Sequence, residues 1–183
     1  SLNGDGPISD WKAKLQASLD GQQRAAIEAH HTLTPDQALH HVELKGGGDL
    51  SSLMPAAFRP LFAGQTNIDL APNFDTAGKI DIQTGNVATG AVVIAASGTL
   101  DPKGKNSLNA NVLGTSGPVD FRWPLAEGEA RFMISGVNLA LTGDAKASRL
   151  NASASLDTAV LPQATVGNVN LTAKSDNSNI SGR

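Results

Sequence analysis

Apolar and polar residues change places at every second position through most of this chain. In Thr66-Asn67-Ile68-Asp69-Leu70, Lys79-Ile80-Asp81-Ile82-Gln83 and Ser107-Leu108-Asn109-Ala110-Asn111-Val112 the apolar residues hold alternate places. That period of two is the signature of strands with one face turned from water. It recurs at Trp11, Ala13, Leu15, Ala17 and Leu19, at Ala25, Ile27 and Ala29, at Val42 and Leu44, in Val119-Asp120-Phe121-Arg122-Trp123-Pro124, at Leu150, Ala152, Ala154 and Leu156, and at Val169, Leu171 and Ala173, while Ile180 begins a further strand. Polar or conformationally special residues separate the runs: Gly21, Ala71-Pro72-Asn73, Thr84-Gly85-Asn86, residues 101–106, residues 114–118 and Pro162. Residues 1–7, with Gly4, Gly6 and Pro7, read as an irregular lead-in, and Gly46-Gly47-Gly48 as the end of a strand. Thr34-Pro35-Asp36-Gln37 has the residues of a helical capping box but is better read as a turn between two strands. In residues 130–141, Phe132 and Ile134 are even and Val137, Leu139 and Leu141 odd, so a bulge is expected at Ser135-Gly136.

One stretch has the helical period instead. Leu50, Leu53, Met54, Ala57, Phe58, Leu61 and Phe62 share a face of a helix, but Pro55 and Pro60 would each cost about 3 kcal/mol inside a continuous one. Short helical turns are expected there, bounded by Asp49 and Gly64 and laid on the sheet by their apolar side.

About ten strands with one apolar face must hide that face in a sandwich, a closed barrel or a trough. The inward residues include many alanines, among them Ala13, Ala17, Ala110, Ala152 and Ala154, which fill a closed core poorly. The expectation is an all-β fold: an elongated, curved, mainly antiparallel sheet forming an open hydrophobic trough, with a short proline-interrupted amphipathic helix near residues 50–63. Residues 1–183 form one β-rich segment, with hairpin strands at 8–45, helical turns at 49–64 and a meander over 65–183.

Composition narrows the classes. Hydrophobic residues make up 40% but aromatics only 4%, with no tyrosine, so the core is aliphatic and thin. A net charge of −3 with scattered Lys and Arg argues against nucleic acid. The absence of cysteine removes disulfides, thiolate metal ligands and thiol nucleophiles. No apolar run approaches the ~20 residues that span a bilayer, the longest being Ala91-Val92-Val93-Ile94-Ala95-Ala96. The chain opens and stops within the repeating pattern and reads as a piece of a longer repetitive protein.

Candidate chemistry is sparse. His30-His31 and His40-His41 suggest a metal, but neighbours on a strand point to opposite faces, so two ligands remain, with Glu28 or Glu43 beside them; a solvated hairpin rim fits better. Residues 98–106 lack the Ser or Thr after the lysine, and the helix, of a phosphate loop. Glu127 and Glu129 beside Arg131 read as strand decoration, no serine sits in a nucleophile elbow, and Asp5, Asp10 and Asp20 lack calcium-loop spacing. No catalytic, cofactor or metal site is expected.

The order of elements carries a resemblance: the amphipathic block 49–64, then Ile68-Asp69-Leu70, Gly78-Lys79-Ile80-Asp81-Ile82 and Ser97-Gly98-Thr99-Leu100-Asp101, and later Ala154-Ser155-Leu156-Asp157, Leu161-Pro162-Gln163 and Asn170-Leu171-Thr172-Ala173. In this the chain resembles the TamB (translocation and assembly module) family within the AsmA-like group of bacterial envelope proteins. The resemblance implies a taco-like β-sheet crossing the periplasm of a Gram-negative bacterium, anchored in the inner membrane by a helix outside this segment. It implies partnership with an Omp85-type outer-membrane barrel, and a non-catalytic role in moving phospholipid acyl chains or assisting nascent outer-membrane β-strands. Neither the anchor nor a barrel-contact motif is in these residues. Under that reading the inward positions counted by alternation, Ile68, Leu70, Ile80, Ile82, Val93, Leu108, Val112, Leu139, Leu141 and Leu171, would line the groove. The competing class is an interaction module: an adhesin- or passenger-like solenoid, for which the turns are too irregularly spaced, or a closed β-sandwich, which would have short strands and a denser aromatic core.

Overall fold

A computed structural model describes residues 1–36, 38–176 and 179–182. It is one all-β body, a large antiparallel, curved and unclosed sheet. In chain order the strands are β1 (Leu2–Asp5), β2 (Asp10–Leu19), β3 (Gln22–Leu33), β4 (Leu39–Gly48), β5 (Thr66–Asp75), β6 (Ile80–Ala88), β7 (Val92–Leu100), β8 (Lys105–Gly114), β9 (Val119–Leu125), β10 (Gly128–Asp144), β11 (Arg149–Leu161), β12 (Ala164–Asp176) and β13 (Asn179–Gly182). Each pairs with its sequence neighbour except at β8, which pairs with β10, while β9 attaches to the remaining half of the same edge of β10. The meander is a consequence of short connections: Asp20 (φ 53°) and Gly21 (φ 76°) both adopt positive φ between β2 and β3, as a two-residue hairpin turn of the sheet's own twist requires. Between β5 and β6 the Asp75 carboxylate accepts from the amides of Ala77 (2.8 Å) and Lys79 (2.9 Å).

The strands are longer and more numerous than alternation alone indicates, and the excess lies where turn residues were read as turns. Leu2–Asp5 is not an irregular lead-in but pairs with β2. Gly46, Gly47 and Gly48 do not end β4; they pair with Ile27, Ala26 and Ala25 on one side and with Ile68, Asn67 and Thr66 on the other. Pro72 and Gly85 lie inside β5 and β6, each at a register shift, where a missing N–H or side chain is tolerated. Thr34 does make a turn, its Oγ1 accepting from the Leu39 amide at 3.1 Å; Gln37, the capping-box member, lies outside the described residues.

The bulge expected at Ser135-Gly136 is present, with register shifts between Met133 and Gly136. It is part of a line that crosses four strands. Level with it the chain leaves the sheet between β8 and β9, Asp157 drops out of the pairing of β11, and Asn168 in β12 takes a φ of 53°. Ser135 Oγ donates to the Asp157 carboxylate across it. Each extra residue returns the apolar side chains to the face they occupied before the line, so that Phe121, Phe132 and Ala159 continue the face of Val112, Val137 and Ala154.

Residues 49–64 form two short 3₁₀ turns, Ser51–Leu53 and Arg59–Phe62, with Pro60 in the first turn of the second. Asp49 accepts from the Ser51 amide at 3.1 Å and Gly64 leaves with φ 80°. This flap lies at one end of the strands, its Phe58 ring 6.1 Å from Phe121 and 6.4 Å from Trp123. Thr89, 5% exposed, ties it down: its hydroxyl donates to the Leu61 carbonyl (2.6 Å) and accepts from the amides of Ala91 (3.1 Å) and Val92 (2.9 Å). Thr89→Val leaves these groups without the hydroxyl. The expected outcome is a loss of about 1–3 kcal/mol in urea unfolding, with amides 61–64 exchanging hydrogen faster than those of β7.

Candidate functional site

The register fixes which residues share a face. Ala13, Ala29, Leu44, Leu70, Gly85, Ala96, Ala110, Leu139, Ala152 and Ala173 are successive cross-strand partners from β2 to β12. This row is mostly alanine and glycine. One step along the strands lies a row of larger aliphatics, including Leu15, Ile27, Ile68, Val87, Ile94, Val112, Val137 and Leu171. One step the other way are Ile82, Leu108, Leu141 and Leu150. Small residues between rows of branched ones give the face a hollow cross-section, and they let a sheet curve about that row without its side chains colliding.

Among the described residues the buried apolar ones, Ala13, Ala25, Val92, Val119, Ala130, Leu156 and Ala159, all stand on this face, as does Thr66 at 0% exposure. Among the described residues no second layer covers it beyond the flap, and several of its large residues remain open to water, among them Ile80 (37%), Leu139 (39%) and Leu171 (48%). A hollow of about 450 Å³ opens over Val137, Ala154, Leu171 and Ala173. At the paired positions of this face, among the described residues of β1 to β12, there is no Asp, Glu, Lys or Arg.

Nine of the residues expected to line a groove share this face: Ile68, Leu70, Ile80, Ile82, Leu108, Val112, Leu139, Leu141 and Leu171. Val93 does not. It pairs with Leu113 and Ala88 on the opposite face, while its neighbours Val92 and Ile94 point into the trough.

The opposite face is polar. A hollow of about 470 Å³ on it lies among Lys12, Lys14, Glu28, His30, Glu43 and Lys45. Arg131 holds the Asp120 carboxyl below the usual carboxylate range through hydrogen bonds of 2.7 and 2.9 Å. The His30 ring at 2.7 Å does the same for Asp10, and the His41 ring for Glu43. These are exposed pairs that orient side chains and contribute little stability.

Two of the four histidines, close to the β3–β4 hairpin end, are part-buried on the trough face. His31 Nε2 and His40 Nδ1 hydrogen-bond each other at 2.9 Å, and the His40 ring stacks on Phe74 at 4.7 Å. The signal was in the sequence: His31 is odd like Ala25, Ile27 and Ala29, and His40 even like Val42 and Leu44. Among the described residues no three His, Asp or Glu side chains gather as metal ligands. No family model, curated protein or solved structure matches the chain.

Proposed function

We propose that the trough carries lipid acyl chains, and that the chain is a non-catalytic segment of a TamB-like envelope protein working between the two membranes of a Gram-negative bacterium beside an Omp85-type barrel. The observation behind this reading is an apolar face that is open and that, at its paired positions among the described residues of β1 to β12, holds no carboxylate, ammonium or guanidinium group. Such a surface gains about 0.8 kcal/mol for each methylene it removes from water, and its aliphatic rows offer no charged group to anchor a polar substrate along them. Its length matters too. The Ala/Gly-rich row crosses ten strands, about 43 Å at ~4.8 Å per strand, whereas the tails of one leaflet reach only about 15 Å. A trough of that length serves as a track for sliding chains rather than as a pocket for one.

Photoreactive residues placed in cells at Ile82, Ile94 and Val93, with Asp81 and Gln83 as polar controls, test it. Ile94 and Val93 are adjacent, aliphatic and on opposite faces, so the comparison separates the trough from mere hydrophobicity. Mass spectrometry is expected to find lipid on Ile82 and Ile94 and not on Val93, Asp81 or Gln83. Lipid on Val93 alone, or on none of them, overturns the reading.

A further inference from the structure

The trough face carries two titratable side chains at its paired positions, and they touch each other. We propose that His31 and His40 seat the anionic headgroup, phosphate or carboxylate, of a lipid whose tails lie in the trough; the inference rests on the acyl-chain reading above. The pair is at the end of the strands away from the flap, next to the turn that Thr34 begins, with Trp11 paired to His31 and Leu33 paired to His40. A headgroup held there leaves its tails free to run along the aliphatic rows.

Proton counting gives the chemistry. In the neutral pair one ring nitrogen donates to the other at 2.9 Å. Whichever tautomer is present, the outer nitrogens, His31 Nδ1 and His40 Nε2, are then one donor and one acceptor. One added proton converts the acceptor into a donor and keeps the inner bond. The pair becomes a monocation with two outward N–H groups, suited to two oxygens of a phosphate or carboxylate. Anion binding therefore takes up a proton, and affinity falls as pH rises.

The neighbours leave this charge uncompensated until the ligand arrives. On the trough face Trp11 of β2, Leu33 of β3, Val42 of β4, and Pro72 and Phe74 of β5 are not titratable. In the adjoining turn Asp36 already accepts from Thr34 Oγ1 and the Ala38 amide. The other charged and titratable groups of these strands, including Asp10, His30, His41, Glu43 and Asp75, stand on the opposite face or its turns, with His30 on Asp10, and His41 on Asn73 and Glu43.

The test compares dimyristoyl phosphatidate, dimyristoylglycerol and inorganic phosphate on the purified chain and on the variant His31→Phe/His40→Phe, which keeps aromatic bulk beside Phe74; circular dichroism checks that it folds. A second variant, His31→Gln/His40→Gln, keeps hydrogen-bonding side chains that take up no proton. The wild type is expected to prefer phosphatidate over the neutral lipid by about tenfold, the worth of one charge-assisted hydrogen bond, with the preference shrinking as pH rises. The phenylalanine variant is expected to lose the preference but keep dimyristoylglycerol, and the glutamine variant to lose the pH dependence of the preference. Equal binding of the two lipids by wild type overturns the headgroup site and leaves the trough reading standing. Failure of both lipids to bind overturns the trough reading with it. Saturation by inorganic phosphate at the same concentration as phosphatidate overturns the lipid assignment in favour of a free-anion site.

Discussion

Gly47→Val is expected to abolish folding of the sheet or to lower its stability by more than about 3 kcal/mol, a large share of the 5–15 kcal/mol typical of a domain. Gly47 has a φ of 157°, and a Cβ there would lie 1.8 Å from the Thr66 carbonyl oxygen. Its neighbours are as crowded: a Cβ on Gly46 meets the Ala26 carbonyl oxygen at 2.2 Å, and one on Gly48 the Arg24 carbonyl oxygen at 1.9 Å. These oxygens belong to the backbones of β3 and β5, so no side-chain rotation relieves the contact. Positive φ with extended ψ is a region reserved almost entirely for glycine, and holding another residue there costs about 1–3 kcal/mol before any clash. Overpacking adds a similar amount. Gly78→Ala is the control. It also sits at positive φ, 86°, but its nearest foreign atom would be Pro102 Cγ at 3.6 Å, so only the conformational cost of about 1 kcal/mol applies. Urea midpoints of the two variants decide the matter. A Gly47→Val protein as stable as Gly78→Ala would mean that the glycine run is not what lets β4 lie between its neighbours.

The glycine run also shows where the sequence was hard to read. Alternation located most of the strands and the bulge near Ser135, because a single half-buried face imposes period two wherever both kinds of residue are present. It failed where residue type and position disagree. Gly46-Gly47-Gly48, Pro72 and Gly85 have turn chemistry but act within strands, since close approach of backbones and bulges call for the same residues as turns. Val93 was placed on the wrong face because residues 91–96 are apolar throughout and carry no alternation; only its pairing with Leu113 decides. The Ala/Gly row across the strands was legible in no single run, because it consists of one residue from each and needs the register. The histidine pair was legible, but its interest depended on knowing that the paired positions of its face, among the described residues, hold no other titratable group.

That row makes the strongest functional prediction. Ala110 stands in the middle of it, between Ala96 and Leu139, on a strand whose next residues, Asn109 and Asn111, point to the other face. Ala110→Trp puts an indole into the hollow with room to stand, since no second layer lies above it, and the sheet is expected to fold with little change in stability. A tail lying along the row would then lose contact over about three methylenes. At ~0.8 kcal/mol each that is roughly fifty-fold in affinity, and lipid adducts at the photoreactive positions Ile82 and Ile94 are expected to fall accordingly. Asn109→Trp adds the same ring on the opposite face and is expected to leave the adducts unchanged. If Ala110→Trp captured lipid as well as the wild type, the tails would not run along the small-residue row, and the aliphatic rows beside it would have to bind them separately. If both tryptophans reduced capture equally, the effect would come from the sheet as a whole, and the hollow would lose its standing as the path.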